Sequence, residues 1–251
     1  MLSALQSRTI EIDQLRSEIL RIQGFKGFSD ARVDAHLAPL NDAFPNATFP
    51  VGALHEFISA SKEGMSVTRG FVTALLSVLT INNSCIAWIS AQRKIFPPAL
   101  RSFGVDPDRF LFIDIAKENN MLWAIEEALK CGALTAVVGE MRGISFTESR
   151  RLQLAVEQSK VTGFVLHAPG REASTTACVS RWKITALPSI SVDGLPGIGH
   201  PHWRVELLRV RNGCPSCWNL QWKNNQFVAT GAEDAAVHRA EDQEQPLQKV
   251  G

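Results

Sequence analysis

The chain has 251 residues, 45% of them hydrophobic, and a formal net charge of +1. That length supports one sizeable core with appendages, or two small domains. The near-neutral balance excludes a global electrostatic pull toward nucleic acid, so any such contact has to come from a local patch. No apolar run approaches the ~18 residues of a membrane span. The N-terminus is amphipathic and carries acids, which fits neither a signal nor a transit peptide. Cys85, Cys131, Cys178, Cys214 and Cys217 are an odd set, several of them in apolar runs, and reduced thiols in a cytoplasmic protein are the simplest account.

In chain order, Ile12, Leu15, Ile19 and Ile22 recur at helical spacing and predict an amphipathic helix over 8–23, ending near Gly24. Residues 24–50 are punctuated by Gly, Pro, Asn and Asp and read as a connector with one short helix. A regular alternation then begins. Strands are predicted at 55–59, 84–90, 110–115, 133–138 and 161–167, and helices at 66–80, 97–103, 120–130 and 145–159. Ser145 with Glu148 three residues on has the pattern of a capping box, and Glu126 and Lys130 stand at ion-pair spacing. The strands lack polar alternation, so both of their faces are buried. With helices between them, this describes an α/β fold with a mainly parallel sheet flanked by helices.

The texture changes after residue 168. Residues 169–176 form a polar loop, 178–187 a strand, and 188–201 a Gly- and Pro-rich stretch. Segments 203–211 and 217–223 flank Asn212-Gly213 and predict an antiparallel hairpin. Trp203, Val205 and Leu207 keep one phase while Leu208 and Val210 take the other, which predicts a bulge near Leu207. From about Thr230 the chain is polar and reads as a disordered tail. The expected organisation is an N-terminal helical arm over 1–45, a core over 46–168, a C-terminal β extension of that core over 169–228, and a tail over 229–251.

The turn between the first strand and its helix is where a phosphate loop, G-x-x-x-x-G-K-[ST], would sit. The eight residues there run from Ser59 through Ala60, Ser61, Lys62, Glu63, Gly64 and Met65 to Ser66. Gly64 and Ser66 fit the pattern. Ser59 replaces the first glycine, and Met65 stands where a lysine would neutralise the terminal phosphates. A thioether offers triphosphate no charge, and Glu63 adds a negative one beside it. Three readings stand: a connector with no ligand, weak anion binding by bare helix amides, and a shifted lysine at Lys62.

Several stretches carry a family resemblance. Phe49–Phe57, Pro97–Pro107, Leu122–Leu129 and Ala136–Glu140 resemble the RecA core. Ser149–Ala155, Arg181-Trp182, Leu187-Pro188-Ser189 and Trp203–Leu207 narrow the resemblance to the ImuA family, over about residues 45–223. The resemblance implies a RecA-like, P-loop-NTPase-type fold and a role in SOS-induced error-prone DNA repair. It implies as partners an ImuB-type inactive relative of Y-family polymerases, RecA and an error-prone replicative-type polymerase, with self-association and DNA contact also open. RecA carries a catalytic glutamate after its second strand. The matching position here is Gln92, and a neutral amide cannot act as a general base. The acidic position after the fourth strand falls to Glu140, beside Gly139. No cofactor and no catalytic residue is therefore expected. Against a non-catalytic adaptor stand two alternatives: a DNA-stimulated ATPase using Lys62 and Glu140, and an SOS regulator resembling a division inhibitor.

Other groups invite a function. Arg142, Arg150, Arg151 and Arg171, together with Arg181 and Lys183, read as contacts to a partner or to DNA, or as a solvated face. Arg204, Arg209 and Arg211 interleave with tryptophans, as in single-strand binding sheets, although Trp182 and Trp203 also suit a sheet core. Cys214 and Cys217 form half of a zinc site that His200 and His202 would have to complete; free thiols in a turn are the plainer reading.

Overall fold

The computed structural model describes residues 36–80, 84–170, 174–189 and 199–231. The expected helix over 8–23, Arg171, most of the Gly- and Pro-rich stretch and the tail from 232 lie outside the described residues. A short helix, α1 (Ala38–Asn41), comes first. The alternating part then runs β1 (Leu54–Ile58), α2 (Lys62–Leu79), β2 (Cys85–Ser90), β3 (Phe110–Asp114), α3 (Glu118–Lys130), β4 (Leu134–Met141), α4 (Phe146–Ser159) and β5 (Thr162–His167). The end is all strand: β6 (Ser180–Ala186), β7 (His202–Val210), β8 (Ser216–Lys223) and β9 (Gln226–Ala229). The segment expected as a helix at Pro97–Phe103 is 3-10 helical.

Among the described residues the strands form one nine-stranded sheet in the order β3-β2-β4-β5-β1-β6-β7-β8-β9. The first six strands are parallel, and β6 to β9 are antiparallel. The expected α/β class with a β extension is therefore present. Helix α2 packs on one face, against β5 and β6, while α3 and α4 pack on the other. Leu37, Leu40 and Phe44 are buried in the α2-side core, so that core reaches back into the segment expected to be an arm.

The α2 face is aromatic. Phe57 stacks on Trp182 with centroids 6.0 Å apart, and Phe71 meets Trp203 edge-on at 5.6 Å. His55 is the polar member of this layer. Trp182 donates its indole N–H to Ser180 Oγ (2.7 Å), Ser180 donates to His55 Nδ1 (2.6 Å), and His55 Nε2 donates to the Pro50 carbonyl (2.8 Å). That chain satisfies every donor with a neutral imidazole. On the other face α3 lies so close to β4 that a Cβ on Gly139 would fall 2.3 Å from Ile125 Cδ1.

The bulge falls where the alternation breaks: Trp182 pairs with Leu207 and Arg181 with Arg209, leaving Leu208 as the extra residue. Strand β9 follows a two-residue turn at Asn224 and Asn225, both at positive φ (52° and 57°), the geometry of a type I′ hairpin.

Burial pushes the His55 pKa down to about 4 from 6.5, against a smaller upward effect of its hydrogen bond to Pro50. The unfolded chain therefore takes up this proton at a higher pH than the folded one, so the stability due to His55 is complete above pH 6.5 and is lost as pH falls toward 4. Thermal unfolding across that window should show Tm falling with acidification, and His55→Asn should flatten the fall.

Candidate functional site

A cleft of about 830 Å³ opens at the C-terminal ends of the parallel strands. Strand β1 leads into α2 on one face and β4 leads into α4 on the other. The chain diverges there, and open α/β sheets bind ligands at such crevices. Lys62, Met65, Ser66, Gln92 and Glu140 all line it, as do Arg69, Lys94 and Arg142. The residues read as a degenerate nucleotide site are thus brought to one place; only Ser59 and Gly64 sit just behind the lining.

The turn into α2 differs from the expectation. The helix begins at Lys62 rather than Ser66, because Ser61 is its N-cap and accepts the Gly64 amide (3.1 Å). Only residues 59–61 separate strand from helix, too few to wrap a triphosphate. The Glu63 carboxylate folds back on the helix start: hydrogen bonds from its own amide and from Ser61 lower its pKa, with Lys62 adding a small favourable charge. Two of the amides that would meet a phosphate are thus engaged within the protein, that of Gly64 by Ser61 and that of Glu63 by its own carboxylate. Met65 lies at the bottom of the cleft, below its open part. It is 4% exposed and packs into the core, where Ser59 Oγ lies 3.7 Å from its sulfur. The Ser66 hydroxyl donates to the Lys62 carbonyl within the helix.

Glu140 is also occupied. Arg69, from the second turn of α2, binds it with both nitrogens, Nε at 2.8 Å and Nη2 at 2.7 Å, and Trp88 Nε1 donates at 3.0 Å. The two charged side chains are 12% and 10% exposed, so the pair is largely desolvated and ties α2 to the sheet. A guanidinium therefore sits where a carboxylate-bound cation would be. Gln92 is exposed beyond the end of β2.

The expected basic contacts scatter. Arg142 is exposed on the cleft rim. Arg150 and Arg151 lie on the exposed side of α4, pairing with Glu157 (3.7 Å) and Glu126 (2.5 Å). Lys183 pairs with Glu206 (3.2 Å). Arg181 is turned inward. It donates Nε to Glu56 Oε1 at 2.8 Å, where Thr176 (2.5 Å) and Arg209 (3.4 Å) converge as well. His167 Nε2 lies 3.2 Å from Glu56 Oε2, and neither atom has another partner. Trp182, Trp203 and Trp222 are buried on the α2 side, opposite the face that carries Arg181 and Lys183. The aromatic-and-arginine surface for a single strand is thus split between two faces of the sheet. His202 pairs with Gln221, four residues along β8 from Cys217, roughly 13 Å away. Its ring nitrogens face Pro188 O and Thr230 Oγ1, so the zinc quartet is not assembled.

Glu56 and Arg69 are the site residues that sequence reasoning missed. Glu56 had a signal, a carboxylate in the middle of an apolar strand. It is 1% exposed, and such a charge needs partners supplied by the fold. Burial raises its pKa, but hydrogen bonds from His167, Thr176 and Arg181, with the Arg181 charge, outweigh that and lower it from 4.5. Its contribution is present above pH 4.5 and disappears as pH drops through the depressed folded value. Glu56→Gln should cost about 3–5 kcal/mol in urea unfolding, because it strands two guanidinium groups, and should remove this acid-dependent part of stability. Arg69→Ala should cost about 2–3 kcal/mol by the same measurement.

No protein-family model matches the chain. Among curated proteins it is 34% identical over 194 residues to Protein ImuA of Caulobacter vibrioides, in two strains, across 72% of this chain and 80% of that protein. It is 24% identical over 105 residues to Cell division inhibitor SulA of Photorhabdus laumondii, across 42% of this chain and 59% of that protein. No described helix is long and apolar enough to cross a membrane.

Proposed function

The chain belongs to the ImuA family, and from that premise we propose that it serves SOS-induced mutagenesis as a RecA-like accessory protein that works through protein contacts and turns over no ATP. The observation that carries the second half is the short turn at 59–61, with its helix amides engaged by Ser61 and Glu63. Three further features support it. Met65 is in the core, Arg69 holds Glu140, and Gln92 lacks a proton-accepting carboxylate. Each loss removes a different part of phosphoryl-transfer chemistry, namely phosphate binding, metal binding and water activation. The natural partner on this reading is an ImuB-type protein, with RecA and an error-prone polymerase in the same assembly.

A second reading rests on the similarity to the SulA protein: a regulator of division. Overproduction that filaments cells with ImuB deleted would favour it over the mutagenesis role.

The primary test is MgATP itself. Full-length protein, with and without single-stranded DNA, should show neither hydrolysis nor a nucleotide-dependent rise in Tm. Turnover abolished by Lys62→Ala would overturn the proposal. Co-expression with an ImuB-type protein should yield a co-purifying complex.

A further inference from the structure

The cleft keeps its shape after its phosphate chemistry is gone, and its lining has a second composition. The protein has four methionines, and all of them except Met1 line this one cleft: Met65, Met121 and Met141. They come from three different elements, α2, α3 and the end of β4. Each is buried, at 3–5% exposure, Met65 in the core on the α2 side and Met121 and Met141 in the core on the other face, so the three lie beneath the cleft from both sides of the sheet end. Lys62, Lys94 and Arg142 are exposed and form the rim. Lys94 and Arg142 have no carboxylate partner among the described residues, whereas the other lining guanidinium, Arg69, is committed to Glu140. Glu118 is the only exposed carboxylate in the lining.

We propose that this cleft is a docking site for a segment of a partner protein that carries acidic residues beside a large apolar side chain. Unbranched, polarizable methionines repack around varied apolar groups and recur on peptide-binding surfaces. The apolar anchor enters over the floor, and the flanking carboxylates meet Lys94 and Arg142 on the rim. A cleft of about 830 Å³ accommodates a few side chains. A nucleotide is the poorer occupant, since the Glu63 and Gly64 amides at the start of α2 are already engaged and Glu140 is already paired. This inference rests on the adaptor reading and names the surface through which it acts.

The test pans a random-peptide phage library on the full chain and then titrates the enriched peptides into protein labelled at the methionine methyls. Enriched sequences should combine acids with Leu, Phe or Trp. They should shift the Met65, Met121 and Met141 signals and leave Met1 unmoved. Lys94→Glu with Arg142→Glu lies on exposed side chains, so Tm should be unchanged while affinity falls by about tenfold or more. Arg150→Glu with Arg151→Glu, on the outer side of α4, should bind as the parent does. The inference is overturned by a library that enriches nothing, by peptides without acids, by binding indifferent to the rim variant, or by cleft methyls that stay still. Those results leave the adaptor reading standing, since it is read out by ATP turnover. MgATP that shifts the same methyls and displaces the peptide sinks both.

Discussion

A carboxylate without water, at Glu56, is the constraint around which the sheet is organised. Its strand is the junction between the parallel part, through β5, and the antiparallel part, through β6. A charge buried there needs donors from the elements around it. Arg181 comes from β6, Arg209 from β7 and Thr176 from the connection that crosses β1, all to Oε1, while His167 of β5 stands 3.2 Å from Oε2. Loss of any one leaves a charge in a low-dielectric interior, so the four elements hold position together. Cys178 shares this environment. Burial, with the Glu56 charge, pushes its thiol up to about 12, which keeps it inert.

The cleft lies at the strand ends next to this junction, and it is governed by internal ion substitution. One side-chain anion, Glu63, takes its own amide at the helix start; one side-chain cation, Arg69, takes the acidic group of β4. Each replaces a ligand interaction with a permanent contact inside the protein. The result is a pocket that is polar at its edge, satisfied in its depth and lined beneath by methionine. Such a surface has its buried charges paired within the protein itself.

Much of the fold was legible from the sequence. Contiguous apolar runs such as Ile86–Ile89 and Ala136–Val138 identified buried parallel strands, and the Ser145–Glu148 capping box formed as expected, with both hydrogen bonds. The break in alternation at Leu207 and Leu208 located the bulge. Strand β9 was missed because a run of only four residues carries little periodicity, although Asn224-Asn225 was a usable turn signal. At the site, the replacement of lysine by Met65 was readable at once. The earlier start of α2 was not, because it depends on which of two serines caps the helix, and Ser61 does. Arg69 was invisible for a different reason. It faces Glu140 across 71 positions of chain, and no local pattern encodes that distance. The tryptophans and arginines of β6 and β7 alternate in sequence, and alternation in a strand means opposite faces; that inference was available from the residues alone.

The placement of residue 65 bears on how readily nucleotide chemistry would return. Position 65 lies one full turn into α2 with its side chain in the core, and residues 59–61 are the whole of the preceding turn. A lysine introduced there would start from a nearly buried position beneath the cleft, beside Ser59. Regaining a phosphate cradle would require added chain between β1 and α2, release of the Ser61 cap and a second substitution to free Glu140. A lysine placed at position 65 alone would therefore leave the turn at 59–61 and the Arg69–Glu140 pair as they are.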